Sequence, residues 1–172
     1  ALTFFLNSEP DITRPANRFT VNNDIYLKAY PEFVNANITN PSDSLETKYY
    51  GLRLLQDLTR FHQNDSKPDG LIDVELIRLE HVYNESQNSK KDTLYFSALK
   101  GLQSKFASSP RVTEIDYKIA NWYLQKSSLY KPLAGDDYKW HKKTAKEICL
   151  EAIKKFPDSY GAAQCKNLIS SI

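Results

Sequence analysis

Methionine is absent from this chain, glycine occurs five times and cysteine twice. Each shortage excludes something. So little glycine leaves few positions for the tight turns that join β-strands, and the Asp-Gly pair at 69–70 is not flanked by alternating apolar runs. Val-rich alternation is equally scarce, so the chain reads as all-α. No apolar run approaches the ~20 residues that span a bilayer, and no secretory signal pattern opens the sequence. With no initiator methionine and an abrupt first segment, ALTFFLNSEP, we expect a piece of a longer protein that has lost an N-terminal leader. Two cysteines leave the redox compartment undecided.

What is present suits one globular domain. At 172 residues, 12% aromatic and 26% charged with a net charge of +2, the chain has the composition of an ordered protein able to bury roughly 70% of its unfolded surface. The balance hides an asymmetry: residues 1–88 hold 8 basic and 13 acidic groups, residues 89–172 hold 15 and 8. The basic half is mostly lysine spaced around helices, without the Arg clusters or Gly-aromatic motifs of nucleic-acid binders, so nucleic acid is not expected as a partner.

Along the chain, residues 1–41 carry half of the eight prolines and many Asn, Asp, Ser and Thr. They read as a looped N-terminal segment with short helical turns near 2–6 and 24–35. Residues 42–172 read as one helical domain. Asp43 followed by Glu46 has capping-box spacing; the helix it opens should run to about 63, with Leu45, Tyr49, Leu52 and Leu55 on one stripe and Leu54, Leu58 and Phe61 on a second, covered on two sides. A second helix is predicted from Pro68, carrying Ile72, Leu76, Leu79 and Tyr83. A third spans about 91–107 through Tyr95, Ala98, Leu99, Leu102 and Phe106. Thr113 should cap a fourth bearing Ile115, Ile119, Trp122 and Tyr123. After the loop LYKPLAGDD (129–137) come helices at 138–156 and from Ser159 onward.

Small residues recur at Gly51, Ala98 and Ala145, 47 apart, each followed four residues later by an apolar one: Leu55, Leu102, Cys149. Ala145-x3-Cys149-x2-Ala152-x4-Pro157 resembles the second helix of a tetratricopeptide repeat (TPR), in which small residues admit close helix approach and proline ends the helix. Ala98, Leu102 and Pro110 follow the pattern in part. Lys105 stands where a second small residue belongs, Gln63 where the first copy needs proline, and the period exceeds the usual 34. The expected architecture is therefore TPR-like: antiparallel hairpins stacked as a right-handed solenoid, because an amphipathic pair cannot bury its stripe unaided. The turn at Phe156-Pro157, the cap at Ser159 and the small pair Ala162 and Ala163 fit such stacking. An irregular bundle with a coincidental spacing is the other arrangement of the same helices.

The chemistry-bearing residues are few. Cys149 lies eight residues before Pro157 and Cys165 eight after, so an antiparallel hairpin brings them level, either as a disulfide, worth about 3 kcal/mol, or as two buried thiols. A catalytic role for Cys149 is disfavoured, since His141 lies two turns away on the same helix, roughly 12 Å. Asp65, Asp69 and Asp73 in DSKPDGLIDVEL fall at positions 1, 5 and 9 of an EF-hand-like loop, but Lys67 occupies position 3 and Leu76 position 12. They make a weak calcium candidate against a plain helix start. His62, His81 and His141 share no metal spacing, and no cofactor is expected. Lys139, Lys142, Lys143 and Lys146 read first as a solvated face and second as a surface for an acidic partner or anionic lipid. Tyr117, Asn121 and Leu124 lie off the Ile115–Ile119–Trp122 stripe, either as a partner-binding concave surface or as packing against the next helix.

The runs LLQDLTRFHQND (54–65), DVELIRLEHVY (73–83), YFSALKGLQSKF (95–106) and AIKKFPDSYGAAQCKNL (152–168) resemble the helical N-terminal region of large bacterial alpha-2-macroglobulin-like proteins. The resemblance implies an exported, periplasmic or envelope-anchored parent with macroglobulin domains downstream, in a family that traps proteases. No Cys-x-Glu-Gln thioester motif occurs here, so no functional residue of the family transfers. The expected function is a non-catalytic scaffold or protein-interaction domain whose partner is a protein, a peptide or a neighbouring domain. The alternatives are a freestanding cytosolic TPR-like adaptor and a small helical enzyme.

Overall fold

The structure is a computed structural model and describes residues 2–6, 18–39 and 46–172. Among these residues every regular element is helical. A short α1 (Leu2–Phe5), a 3-10 turn (Asp24–Leu27) and a one-turn α2 (Tyr30–Phe33) precede α3 (Thr47–His62), α4 (Asp69–Glu85), α5 (Lys91–Lys105) and α6 (Val112–Lys126). A 3-10 turn (Ser127–Leu129) leads into the long loop, and α7 (His141–Lys155) and α8 (Tyr160–Ile169) complete the chain. No described helix is long and apolar enough to cross a membrane. The chain divides into two compact units, Ala1–Ala98 and Leu99–Ile172, with the boundary inside α5.

In the first unit the core gathers Leu27, Phe33, Leu52, Leu55, Ile72 and Leu79, none more than 1% exposed. Burying each of these side chains is worth about 1.5–3 kcal/mol. The expected Leu54–Leu58–Phe61 stripe is not the second covered face of α3: Leu54 and Leu58 are half-buried and Phe61 is 74% exposed. Gln56 and Thr59 are buried instead: Thr59 donates to Leu55 O of its own helix at 2.8 Å, and Gln56 faces backbone carbonyls of the looped segment. Gln56 Nε2 donates to Phe33 O (2.9 Å) and Ala36 O (2.8 Å). Arg60 Nη2 donates to Val34 O at 2.8 Å. One-turn helices leave most of their carbonyls unpaired internally, and these long side chains supply the missing donors.

Expectation and structure also part at the helix starts. Asp43 and Leu45 lie outside the described residues; Glu46 sits at the N-cap of α3 without capping it, and its Oε2 accepts from Phe19 N–H at 3.3 Å. Thr113 is not the cap of α6, which begins one residue earlier. Its hydroxyl donates to Pro110 O at 2.8 Å and lies 2.9 Å from Ser159 Oγ. Ser159 does cap α8, accepting from Ala162 N–H at 3.2 Å.

In the second unit α6, α7 and α8 each pack on the other two. The enabling residues are small: Ala120, Ala145, Cys149, Ala152 and Cys165 form a buried cluster. Gly161 lies so close to the first turn of α6 that a Cβ there would fall onto the backbone of Thr113 and Glu114. Ala162 is buried, whereas Ala163 faces solvent, so Gly161 and not Ala163 partners Ala162 in the close approach.

Candidate functional site

The second unit carries a cleft of about 280 Å³. Val112 of α6 with Ile148 and Ala152 of α7 give it an apolar base, and Lys100, Gln103, Asp116, Glu151 and Lys155 give it polar walls. Asp116 is 9% exposed. Burial pushes its carboxyl above the ordinary aspartate range, while the Gln103 hydrogen bond and the Lys155 and Lys100 ammonium groups pull the other way. Gln103 Nε2 donates to Asp116 Oδ1 at 2.5 Å, and Lys100 Nζ donates to Gln103 Oε1. Lys155 Nζ donates to Ala107 O at 2.7 Å. Two ammonium groups and two carboxyl groups thus surround an apolar base.

Behind that base lies the thiol pair. Cys149 and Cys165 are both fully buried and both free. The two thiols meet across α7 and α8 in one buried cluster. Their mutual contact lowers the Cys149 thiol pKa, against burial and Asp116, and raises that of Cys165, where burial and Asp116 add to the rise. The equal spacing of the two cysteines about Pro157 is the sequence signal for this meeting.

The other predicted residues lie elsewhere. Tyr117, Asn121 and Leu124 are half-buried on α6, and Tyr117 and Leu124 pack against the small-residue cluster, which turns much of their surface inward. Asp65, Asp69 and Asp73 are all exposed and are not gathered as ligands; no three acidic, His or Cys residues among the described ones are placed to hold a metal. Asp65 instead meets His62 Nδ1 at 2.7 Å. His81 is held below its usual pKa by burial, opposed by Glu85. His141 packs edge-on against Tyr123 and Tyr138, ring centres 5.1 Å away in each case.

Sequence reading missed the buried charges of the first unit. Arg78 and Glu75 are both fully buried and pair in two places, Nε to Oε1 at 2.8 Å and Nη2 to Oε2 at 2.5 Å. Arg78 also donates to Tyr26 O (2.5 Å) and Lys28 O (2.9 Å) and lies 4.5 Å over the Phe33 ring. The available signal was two opposite charges three residues apart, flanked by Leu71 and Val82 on the same face of an apolar helix. A smaller polar cleft of about 230 Å³ lies in the same unit beside the Lys48–Glu85 ion pair, and residues 18–22 line it.

No family model, no curated protein and no solved structure matches this chain.

Proposed function

We propose that the chain is a non-catalytic helical-repeat scaffold, a TPR-like protein-interaction domain belonging to a larger exported protein of the alpha-2-macroglobulin-like class. The observation that carries the reading is burial of the repeat positions. Gly51, Ala98 and Ala145 are all buried, and so are Leu55, Leu102 and Cys149 four residues after each. A 47-residue register that lands six times on buried positions is what stacked copies of one supersecondary unit require, since each must hide its apolar face on a neighbour. Close approach of α6, α7 and α8 through small residues supports the same view. The right-handed solenoid is the arrangement this register favours.

In that reading the Asp116 cleft receives a segment of a partner protein or of an adjoining domain, and the two thiols, free in the structure, are oxidised in an oxidising compartment to a disulfide that staples the last hairpin. A photo-crosslinking side chain at Glu151, which is exposed beside the cleft, tests the first part. Discrete adducts with one protein or with a following domain support it; none under conditions where the parent protein is assembled contradicts it. The reading frame tests the affiliation: a leader upstream and macroglobulin-like β-domains downstream support it. Thiol titration of native material separates compartments, two free thiols favouring the cytosolic adaptor.

A further inference from the structure

The loop between α6 and α7 has a surface unlike the rest of the second unit. Residues 131–140 are exposed without interruption. Leu133 is fully exposed, Trp140 61%, Leu129 48% and Tyr138 37%. Scattered exposed apolar side chains are ordinary, but four within twelve residues on one protruding loop are not. The backbone is held there against its preference. Tyr138 has φ +63° and Gly135 φ +131°, the two positive values among the described residues. A bulky non-glycine residue in the left-handed region costs on the order of 1–3 kcal/mol and persists only where surrounding contacts enforce it. The enforcing contact is aromatic: the Tyr138 ring packs on His141, which packs on Tyr123 of α6. Trp140, next in line, is left outside with Lys139 Nζ 5.2 Å over its ring.

We propose that this loop is a docking tip for an anionic membrane surface, seating Leu129, Leu133 and Trp140 at the headgroup boundary. Five lysines (131, 139, 142, 143 and 146) against three acids (Asp136, Asp137 and Glu147) make residues 129–147 basic. Lysine is depleted from protein–protein interfaces, whereas next to exposed aromatic and leucine side chains it is the usual partner of anionic headgroups. Tryptophan and tyrosine favour the bilayer interface because a flat apolar ring with one polar edge suits that boundary. Protruding, separate knobs suit shallow insertion better than the flat, closely packed centre of a protein interface. Asp136 sits 3.1 Å from Lys139 and Glu147 3.7 Å from Lys143, so these two acids are balanced locally and the basic surplus of the segment rests on Lys131, Lys142 and Lys146 against Asp137.

The test is vesicle flotation of the full chain with phosphatidylcholine vesicles, with and without phosphatidylglycerol. Wild type should float with the anionic vesicles and remain in solution with the neutral ones. Leu133→Asp combined with Trp140→Ala should lower the bound fraction about tenfold or more. Both positions are exposed, so far-UV circular dichroism and the unfolding midpoint should stay at wild-type values. Lys142→Gln with Lys143→Gln should weaken binding by about tenfold at low salt. Wild type that stays soluble with both vesicle types overturns the proposal and leaves the tip to a protein partner. Equal flotation of wild type and the Leu133/Trp140 variant overturns it as well, as does equal binding to neutral vesicles.

Discussion

The two units are held together by opposite means. In Ala1–Ala98 an irregular segment is fastened to a helix pair by buried charge, Arg78 and Glu75 reaching the carbonyls of Tyr26 and Lys28. In Leu99–Ile172 helices meet where side chains are missing, at Ala120, Ala145, Ala152 and Gly161. The reason lies in what each must cover. A looped segment presents unpaired carbonyls, which apolar packing cannot satisfy and long donors can. Regular helices satisfy their own backbone and gain most by close approach. A buried guanidinium therefore marks irregular backbone, and a small-residue stripe marks helix on helix.

That contrast is best broken first at Arg78. Arg78→Ala strands the Glu75 carboxylate and two carbonyls in the interior, and should cost about 3–5 kcal/mol. Urea unfolding should show it, with protease sensitivity appearing between residues 18 and 39. Glu75→Leu with Arg78→Met should recover part but not all of the loss, because the Tyr26 and Lys28 carbonyls remain unpaired. A single variant within about 0.5 kcal/mol of wild type would mean the network fastens nothing.

Ser159→Ala probes the second unit at one polar point. It removes the acceptor for Ala162 N–H and the neighbour of the Thr113 hydroxyl, and should cost about 1 kcal/mol; an unchanged thermal midpoint would remove the cap from the account.

Asp116→Asn should have the smallest effect and a pH signature. Burial raises the carboxyl above the 3.8 of an ordinary aspartate, so over that interval the folded chain holds a proton that the unfolded chain has released. Stability from this group is full at acid pH and falls as pH rises through the raised value. The Asn variant should therefore be more stable than wild type at neutral pH, with the gap closing below the ordinary carboxylate range. A gap that instead widens on acidification would reverse the sign assigned to burial.

The long helices were legible because their apolar spacing and breakers are local: Pro68, the Ser-Ser-Pro run and Phe156-Pro157 mark ends that the structure keeps within a few residues. The meeting of Cys149 and Cys165 followed from spacing about one turn. What was not legible depends on partners distant in sequence. Gln56 belongs to no apolar stripe of α3, and is core only because the carbonyls of Phe33 and Ala36 are there to receive its protons. Arg78 is decided by carbonyls some fifty residues earlier. Asp116 is one of 21 acidic residues in the sequence; its cleft exists only once α5, α6 and α7 converge. Thr113 satisfied the local rule for a cap, yet its hydroxyl is taken by Pro110 O beside Ser159 of a helix that starts 47 residues later.

The claim that the last three helices pack through missing side chains is tested most directly by two glycine-to-alanine substitutions compared in one thermal unfolding series. At Gly161 the added methyl meets the α6 backbone, whereas at Gly101, inside α5, it meets nothing within 4 Å. Gly161→Ala should lower stability by about 1–3 kcal/mol through overpacking, and Gly101→Ala should raise it by roughly 0.5–1 kcal/mol through helix propensity. Shifts of the same sign, or a gain at Gly161, would contradict the account.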